Sequence, residues 1–275
     1  MNSHTIVIKI GGRTLSSPGV LEHLVADIAA LEDYRIVLVH GGGAEVTAYA
    51  GRLGITSEFA DGVRMTGEEE MEVVDMVLAG LVNKRVARRF QAARVPSAGI
   101  CASDGGMLTG TPVLRPDGTP SRTGRVASRN PAFLEHLLAG GYLAVVASTF
   151  TDGDGGGLNL NADDAALEIA TMLAADALLF LSDVPGILRR RGTEEASSEG
   201  EPGTEDAPEL IRRLTPTEVD AEIGSGTISG GMIPKVRSSV AALHAGVGIV
   251  IIGSYTEDAS LKHILAGNSG TRIEQ

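Results

Sequence analysis

Five apolar, β-branched runs that each stop at glycine constrain this chain more than any other feature. Residues 5–10 (TIVIKI) run into Gly11–Gly12, residues 35–40 (RIVLVH) into Gly41–Gly42–Gly43, and residues 142–148 (YLAVVAS) into a Gly/Asp-rich loop. Residues 177–182 (ALLFLS) lead to Asp183-Val184-Pro185-Gly186, and residues 247–252 (VGIVII) end at Gly253. Amphipathic stretches lie between them at residues 20–31, 68–90, 131–139, 162–174 and 234–245. Continuous apolar strands alternating with helical segments predict an α/β protein whose parallel sheet is buried on both faces. Ligands of such sheets sit beyond the carboxyl ends of the strands, where these glycines fall. Residues 109–129, rich in Pro, Gly and Arg, predict a β-hairpin or excursion. Thr66, with Glu69 three residues on, predicts a capping box opening the 68–90 helix.

The 275 residues, 43% hydrophobic and 21% charged, are enough for a two-lobed unit and exclude disorder as the main state. No apolar stretch approaches the roughly 20 residues of a membrane-spanning helix. The N-terminus has no basic region ahead of its apolar run, so no cleaved secretory signal is expected and the expected location is cytoplasmic. The single cysteine, Cys101, agrees with a reducing compartment and excludes a cysteine-rich metal framework. A net charge of −12 argues against nucleic acid as a partner. Seven acids and no base fall in residues 192–209 (GTEEASSEGEPGTEDAPE), leaving the remainder at −5. Such a run predicts a solvated, disordered acidic insertion. The organisational break falls near residues 174–177, within one sheet, and divides a lobe 1–175 from a lobe 176–275.

Lysine is scarce. Of 23 basic residues only four are lysines, Lys9, Lys84, Lys235 and Lys262, and two of these adjoin glycine pairs. Lys9 ends an otherwise apolar strand just before Gly11–Gly12, and Lys235 follows Gly230–Gly231–Met232–Ile233–Pro234 at a helix start. An ammonium in such a strand costs desolvation unless an anion compensates it; the alternative is a stem that buries while its head stays wet. Glycine turns that open helices present backbone N–H groups and a positive dipole end, which suits phosphate. No Gly-Lys-Ser/Thr exists for a P-loop, and Lys9-Ile10-Gly11-Gly12-Arg13-Thr14 lacks the dinucleotide fingerprint, so any nucleotide is bound by another arrangement. In Asn159-Leu160-Asn161-Ala162-Asp163-Asp164, Asn161 or Asp163 reads equally well as a helix cap, although four such residues exceed what one cap requires. Arg64, just before the 68–90 helix, can fork onto a carboxylate or be a plain surface arginine.

The runs VIKIGG, VHGGG, DGVRMTGEEEMEVVDMVLAGLVNK, NLNADDAA, LSDVPGIL, GGMIPKV and a terminal SGTRI, in that order and spacing, resemble the acetylglutamate kinases of arginine biosynthesis, within the amino acid kinase superfamily. The resemblance covers nearly the whole chain and departs mainly at the acidic insertion after Arg191. It implies an open αβα sandwich around a central, mostly parallel sheet. The N-terminal lobe would bind the acyl amino acid and dimerise, and the C-terminal lobe would bind ATP. The implied reaction is phosphorylation of the side-chain carboxylate of N-acetyl-L-glutamate by ATP with Mg²⁺, giving N-acetyl-L-glutamyl 5-phosphate, the second step of arginine biosynthesis.

By this resemblance Lys9 and Lys235 stabilise the transferring phosphoryl group, and Asp163 orients both lysines. Gly11, Gly12, Gly42 and Gly43 supply backbone donors, while Arg64, Asn159 and Asn161 hold the substrate. Asp183, Val184, Gly186, Ile187 and Leu188, with Thr227, Ile228 and Ser229, border the nucleotide. A γ-carboxylate is already ionised near neutral pH, so cationic clamping carries the chemistry and no general base is required. His40 accordingly reads as a strand-end residue, and the histidines show no metal-ligand spacing. Mg²⁺ would arrive with ATP rather than sit in a protein cage. Residues 100–105 (ICASDG) depart from the Gly-rich GLSGxDG-like run common in relatives and alter either the acyl pocket or only a turn. N-succinylglutamate and aminoadipate derivatives therefore stay open as acceptors, beside other small-molecule kinase activities and a non-catalytic nucleotide or amino-acid sensor. Relatives inhibited by arginine carry an extra helix before the first strand. Only Met1 to His4 precede it here, so a homodimer without arginine feedback is expected. Met71, Val74, Leu78 and Val82 recur at helical spacing and mark either a dimer surface or plain core.

Overall fold

Both faces of the first strand are apolar, so it is stable only inside a sheet covered on two sides. That is where the computed structural model, which describes residues 4–60, 62–189 and 208–275, puts it. The chain begins β1 (His4–Ile10), α1 (Gly12–Ser16), α2 (Pro18–Ala29), β2 (Tyr34–His40), α3 (Gly43–Arg52), then the short hairpin β3 (Phe59–Ala60) and β4 (Val63–Arg64). Helix α4 (Glu68–Val74) continues through a π-helical stretch, Asp75–Val82, into α5 (Asn83–Ala92). There follow β5 (Ser97–Cys101), β6 (Leu108–Leu114), β7 (Pro120–Arg129), α6 (Ala132–Ala139), β8 (Leu143–Ala147), β9 (Thr149–Asp152), β10 (Gly157–Asn159) and α7 (Ala162–Met172). The remainder is β11 (Ala177–Ser182), β12 (Leu188–Arg189), β13 (Glu209–Leu210), β14 (Arg213–Leu214), α8 (Pro216–Gly224), α9 (Met232–His244), β15 (Ile249–Ser254), α10 (Leu261–Leu265) and β16 (Thr271–Ile273).

Eight strands form the main sheet in the order β14-β16-β15-β11-β1-β2-β8-β5, parallel except where β15 meets β16. β6, β7, β9 and β10 close into a small barrel. Side chains alternate along β1. Ile6, Ile8 and Ile10 join the layer holding Leu24 and Ile28 of α2, Val46 of α3 and Phe90 of α5. Val7 joins the opposite layer, with Ile169 of α7 and Val236 of α9. Each fully buried aliphatic side chain contributes about 1.5–3 kcal/mol. The same two-residue period puts Lys9 on the face of Val7, under α7 and α9.

The sheet, its flanking helices and the hairpin within residues 109–129 follow the expectation, and several local readings are corrected. No side chain caps α4: Gly67 holds the N-cap position. Thr66 is drawn elsewhere, its hydroxyl accepting from Asn159 Nδ2 at 3.0 Å and its N–H donating to Thr123 Oγ1 at 3.0 Å. Met71, Val74, Leu78 and Val82 are core, at most 5% exposed, whereas Met76 and Leu81 face outward. Residues 192–207 of the acidic run lie outside the described residues; its last acid, Glu209, pairs with Arg189 in the β12–β13 ladder. Residues 100–105 end β5 and make a tight turn in which Asp104 accepts the Cys101 N–H at 3.0 Å. Helix α2 is tied to the start of α10 and the segment leading into it through Asp27, which accepts from the Tyr255 hydroxyl at 2.9 Å and the Leu261 N–H at 2.7 Å.

Candidate active site

Lys9 and Lys235, 226 positions apart in sequence, share one carboxylate. Lys9 Nζ lies 2.7 Å from Asp163 Oδ1 and Lys235 Nζ 3.1 Å from Asp163 Oδ2. The sequence dictates this local arrangement. β1 sends Lys9 to the α7 face, α7 carries Asp163 in its first turn, and α9 packs on α7 with Lys235 in its own first turn. Lys235 Nζ also sits 5.4 Å from the Phe180 ring centroid, a cation–π contact from β11 below. Burial alone would raise the Asp163 pKa, but the two ammonium groups outweigh it and hold the carboxyl below its usual range. All three side chains remain partly accessible, at 15–25%. Asp163 therefore pairs with two ammonium groups and is not the helix cap; Asn161 is the cap, its side chain accepting the Asp163 N–H at 2.9 Å.

A cavity of about 260 Å³ opens beside this cluster, lined by Lys9, Gly12, Gly42, Gly43, Arg64, Asn159 and Asn161 among others. It is smaller than the roughly 300–1,000 Å³ of drug-sized ligand sites, so it suits a compact acceptor. Gly42 and Gly43, the N-cap and first residue of α3, carry amides with no intrahelical acceptor. A Cβ at Gly42 would lie 2.8 Å from Leu78 Cδ2, so the π-helical stretch closes over this turn only because the residue is glycine. Gly11 is a correction. Its N–H already donates to the Leu181 carbonyl at 3.2 Å, which leaves the donor role to Gly12. Residues 100–105 do not line the cavity, so their departure from the related run alters a turn.

Arg64 faces the cavity with its fork engaged. Nη1 donates to Glu70 Oε1 and to Ser57 Oγ, both at 2.5 Å, and Nη2 donates to the Gly43 carbonyl at 2.9 Å and Thr47 Oγ1 at 2.8 Å. Phe59 covers the guanidinium at 4.8 Å. The arginine thus ties the β3–β4 hairpin to α3 and α4. Sequence reasoning passed over its partners. Glu70 stands in Glu68-Glu69-Glu70, which reads as a solvated first turn yet leaves Glu70 3% exposed. Ser57, Thr47 and Thr123 carry no local signal at all.

The residues expected at the nucleotide do not line this cavity. Asp183 to Leu188 leave the carboxyl end of β11, where Val184 N–H donates to Ser182 Oγ at 3.4 Å and Ile187 N–H to Thr271 Oγ1 at 2.8 Å. Gly186 adopts φ +141°, and a Cβ there would lie 2.6 Å from Thr271 Oγ1. Thr227, Ile228 and Ser229 link α8 to α9. Ile187 and Ile228 are both 2% exposed, so their side chains form floor beneath this region. An ion pair between Arg189 and Glu222 joins β12 to α8.

A twisted parallel sheet with a shared-carboxylate lysine pair and glycine turns at one rim defines a phosphotransferase class, and the chain belongs to the amino acid kinase family, whose sequence model matches residues 4–254. It is 38% identical over 273 residues to the acetylglutamate kinase of Rubrobacter xylanophilus, covering 98% of this chain and 97% of that one. Its identity to the chloroplastic acetylglutamate kinase of Arabidopsis thaliana is 36% over 268 residues, covering 97% of this chain and 73% of the relative. Within the family its place is therefore among the acetylglutamate kinases. Among solved structures, N-acetylglutamate synthase from Neisseria gonorrhoeae, complexed with coenzyme A and N-acetyl-glutamate, superposes with a TM-score of 0.81 at 28% identity. The match covers all of this chain, which spans 60% of the synthase. Carbamate kinase from Giardia lamblia bound to AMP-PNP shares the fold, with a TM-score of 0.68 at 18% identity, covering 100% of this chain and 99% of that one.

Proposed function

We propose that the chain transfers the γ-phosphoryl group of ATP to the side-chain carboxylate of N-acetyl-L-glutamate, forming an acyl phosphate and ADP in arginine biosynthesis. The observation that carries this reading is the pair of ammonium groups held on Asp163 at the mouth of a small acceptor cavity. In the transfer, a carboxylate oxygen forms the new bond to phosphorus while the bond to the β,γ-bridging oxygen breaks and ADP leaves with that electron pair. Negative charge spreads over the three phosphoryl oxygens, and Lys9 and Lys235 neutralise it from positions fixed beforehand. Gly12, Gly42 and Gly43 amides donate to the reacting oxygens. Asn159 and Asn161 border the rest of the acceptor with Arg64, whose terminal nitrogens and charge are engaged by Glu70 and its neighbours and which holds the β3–β4 hairpin over the cavity. The lobe 176–275 receives ATP along Asp183, Val184, Gly186, Ile187, Leu188, Thr227, Ile228 and Ser229.

No proton needs to leave the acceptor, and His40, buried and with its pKa lowered to about 4, is not built to take one. Both oxygens of Asp163 are taken by lysines, so this carboxylate does not fit a resident Mg²⁺; the ion enters on the phosphates of ATP as part of the substrate. Two chains pairing through the 68–92 helical segment, with Met76 and Leu81 facing out, complete the proposed homodimer, and the cytoplasm is its proposed site. Hydroxamate trapping with N-acetylglutamate, N-succinylglutamate and an N-acyl aminoadipate, alongside coupled ADP release, tests the reaction. N-acetylglutamate is expected to give the highest kcat/KM. Equal or better turnover of a longer acceptor, or of carbamate, reassigns the substrate, and no turnover at all leaves the sensor reading in its place.

A further inference from the structure

A second groove beside the β6–β7 hairpin, a pocket lined by Arg35 and the half-buried Cys101 show, among the described residues, no second sign of a ligand. A fully buried polar pair behind the glycine triplet does more. Asn83 and His40 are both 0% exposed, and neither lines the acceptor cavity. Asn83 stands where the π-helical stretch passes into α5, and its Nδ2 donates to the Ile100 carbonyl at 3.0 Å and the Val145 carbonyl at 2.8 Å, in neighbouring strands β5 and β8. His40 Nε2 lies 3.1 Å from the same Nδ2, whose two hydrogens it shares with those carbonyls, and Asn83 Oδ1 accepts from Lys84 Nζ at 3.2 Å, which fixes the amide's orientation. A carbonyl can only accept, so His40 Nδ1, 2.9 Å from the Gly41 oxygen, is the donor, and in the neutral ring Nε2 is the acceptor that faces the Asn83 amide.

We infer that Asn83 and His40 are positioning residues, a relay that fixes the Gly41–Gly42 peptide and thereby aims the Gly42 N–H at the acceptor. This rests on the proposed role of the Gly42 amide. In a trans peptide the N–H points opposite the carbonyl, so holding Gly41 O inward on His40 turns Gly42 N–H outward. The next two planes are held as well. Gly42 O accepts the Val46 N–H at 3.0 Å, and Gly43 O accepts from Arg64 and from Thr47 Oγ1 at 3.0 Å. Of these anchors His40 is the one that Asn83 ties to two strands of the sheet. Burial depresses the imidazole's pKa to about 4, against the opposing pull of its bond to Gly41, so the ring stays neutral in this tautomer.

The test uses the full chain. Asparagine at position 40 places its amide where Nδ1 was and keeps a donor to Gly41; glutamine places its amide where Nε2 was and keeps only the contact with Asn83. H40Q and N83L are expected to lower kcat with N-acetylglutamate at least about tenfold, with KM for ATP held within about twofold, since a donor displaced by a fraction of an ångström costs rate rather than nucleotide binding. H40N is expected to recover at least about fivefold of the loss in H40Q. Equal losses in H40N and H40Q that follow Tm alone, or kcat within about twofold of wild type in both, overturn the relay. If the variants do not fold, ¹⁵N spectra of the wild-type protein decide: a neutral ring protonated on Nδ1 across about pH 6–8 is expected, and an Nε2–H tautomer or an imidazolium refutes it. The spectra are independent of the acceptor's identity, so failure of N-acetylglutamate to react is a separate result from failure of the relay.

Discussion

Asp163 decides whether two cations are poised or merely near. An isolated lysine at the end of a central strand costs desolvation. Here the shared carboxylate compensates both ammonium groups while leaving each reachable from the rim. Lys9→Ala is expected to lower kcat at least about a hundredfold, the scale of removing one transition-state donor. Single-turnover ADP release checks it, and unchanged turnover with ligand binding intact would end the catalytic assignment. A second residue-scale prediction concerns His40. The unfolded chain binds a proton on this ring near pH 6.5, the folded one only near pH 4. Between those values the unfolded state holds more protons, so this group's contribution to stability falls as pH drops. From pH 6.5 to pH 5 the loss is on the order of 1–2 kcal/mol, because the unfolded ring is already half protonated at pH 6.5. Urea unfolding of wild type minus H40N, in which carboxylate titrations common to both chains cancel, is expected to show that slope, and a flat difference would refute it.

At the scale of elements, the β3–β4 hairpin is held over the cavity by one buried ion pair. Arg64 and Glu70 are 8% and 3% exposed, and hydrogen bonds to Ser57, Thr47 and Gly43 engage the other N–H groups of the two terminal nitrogens. Glu70→Ala leaves the guanidinium buried without its carboxylate, so a loss of about 3–5 kcal/mol in urea unfolding is expected, with a raised KM for the acceptor. A loss under about 1 kcal/mol would mean the hairpin is fastened elsewhere. What the sequence disclosed about this region, and what it withheld, has a physical reason. Strands β1, β2, β8, β11 and β15 were readable because burial on both faces demands uninterrupted apolar residues. Lys9 and Lys235 stood out because each breaks such a context beside glycine. Arg64 could be placed at the site, but its fork could not be assigned, since partners 6 to 21 positions away have no periodic signature. Thr66 looked like a cap because its spacing to Glu69 is local, whereas the Asn159 amide that claims its hydroxyl comes from 93 residues further on. Helix α3 went unread because GAEVTAYAGR buries only Val46 and Ala50 and is weakly apolar on average, although its apolar residues do recur at helical spacing.

On the scale of the whole molecule, the two cations paired with Asp163 come from opposite sides of the sheet's midline. β1, β2, β8 and β5 form one half, carrying Lys9 and the glycine turns of the acceptor cavity. β11, β15, β16 and β14 form the other, flanked by α9 with Lys235. Helix α7, which connects the halves in sequence, supplies the carboxylate between them. Because Asp163 holds one cation from each half, the binding of a ligand in one half is expected to be coupled to binding in the other. Each ligand alone at a hundred times its Kd adds about 2.7 kcal/mol to stability. ADP and N-acetylglutamate with a planar phosphoryl mimic are expected to raise Tm by more than the sum of their separate shifts, since only the ternary state fills the space between the lysines with the charge they are placed to meet. In Asp163→Asn, measured at matched saturation, the separate shifts should persist and the excess vanish. An excess that survives the substitution would show that the halves communicate through the sheet itself and not through the shared carboxylate.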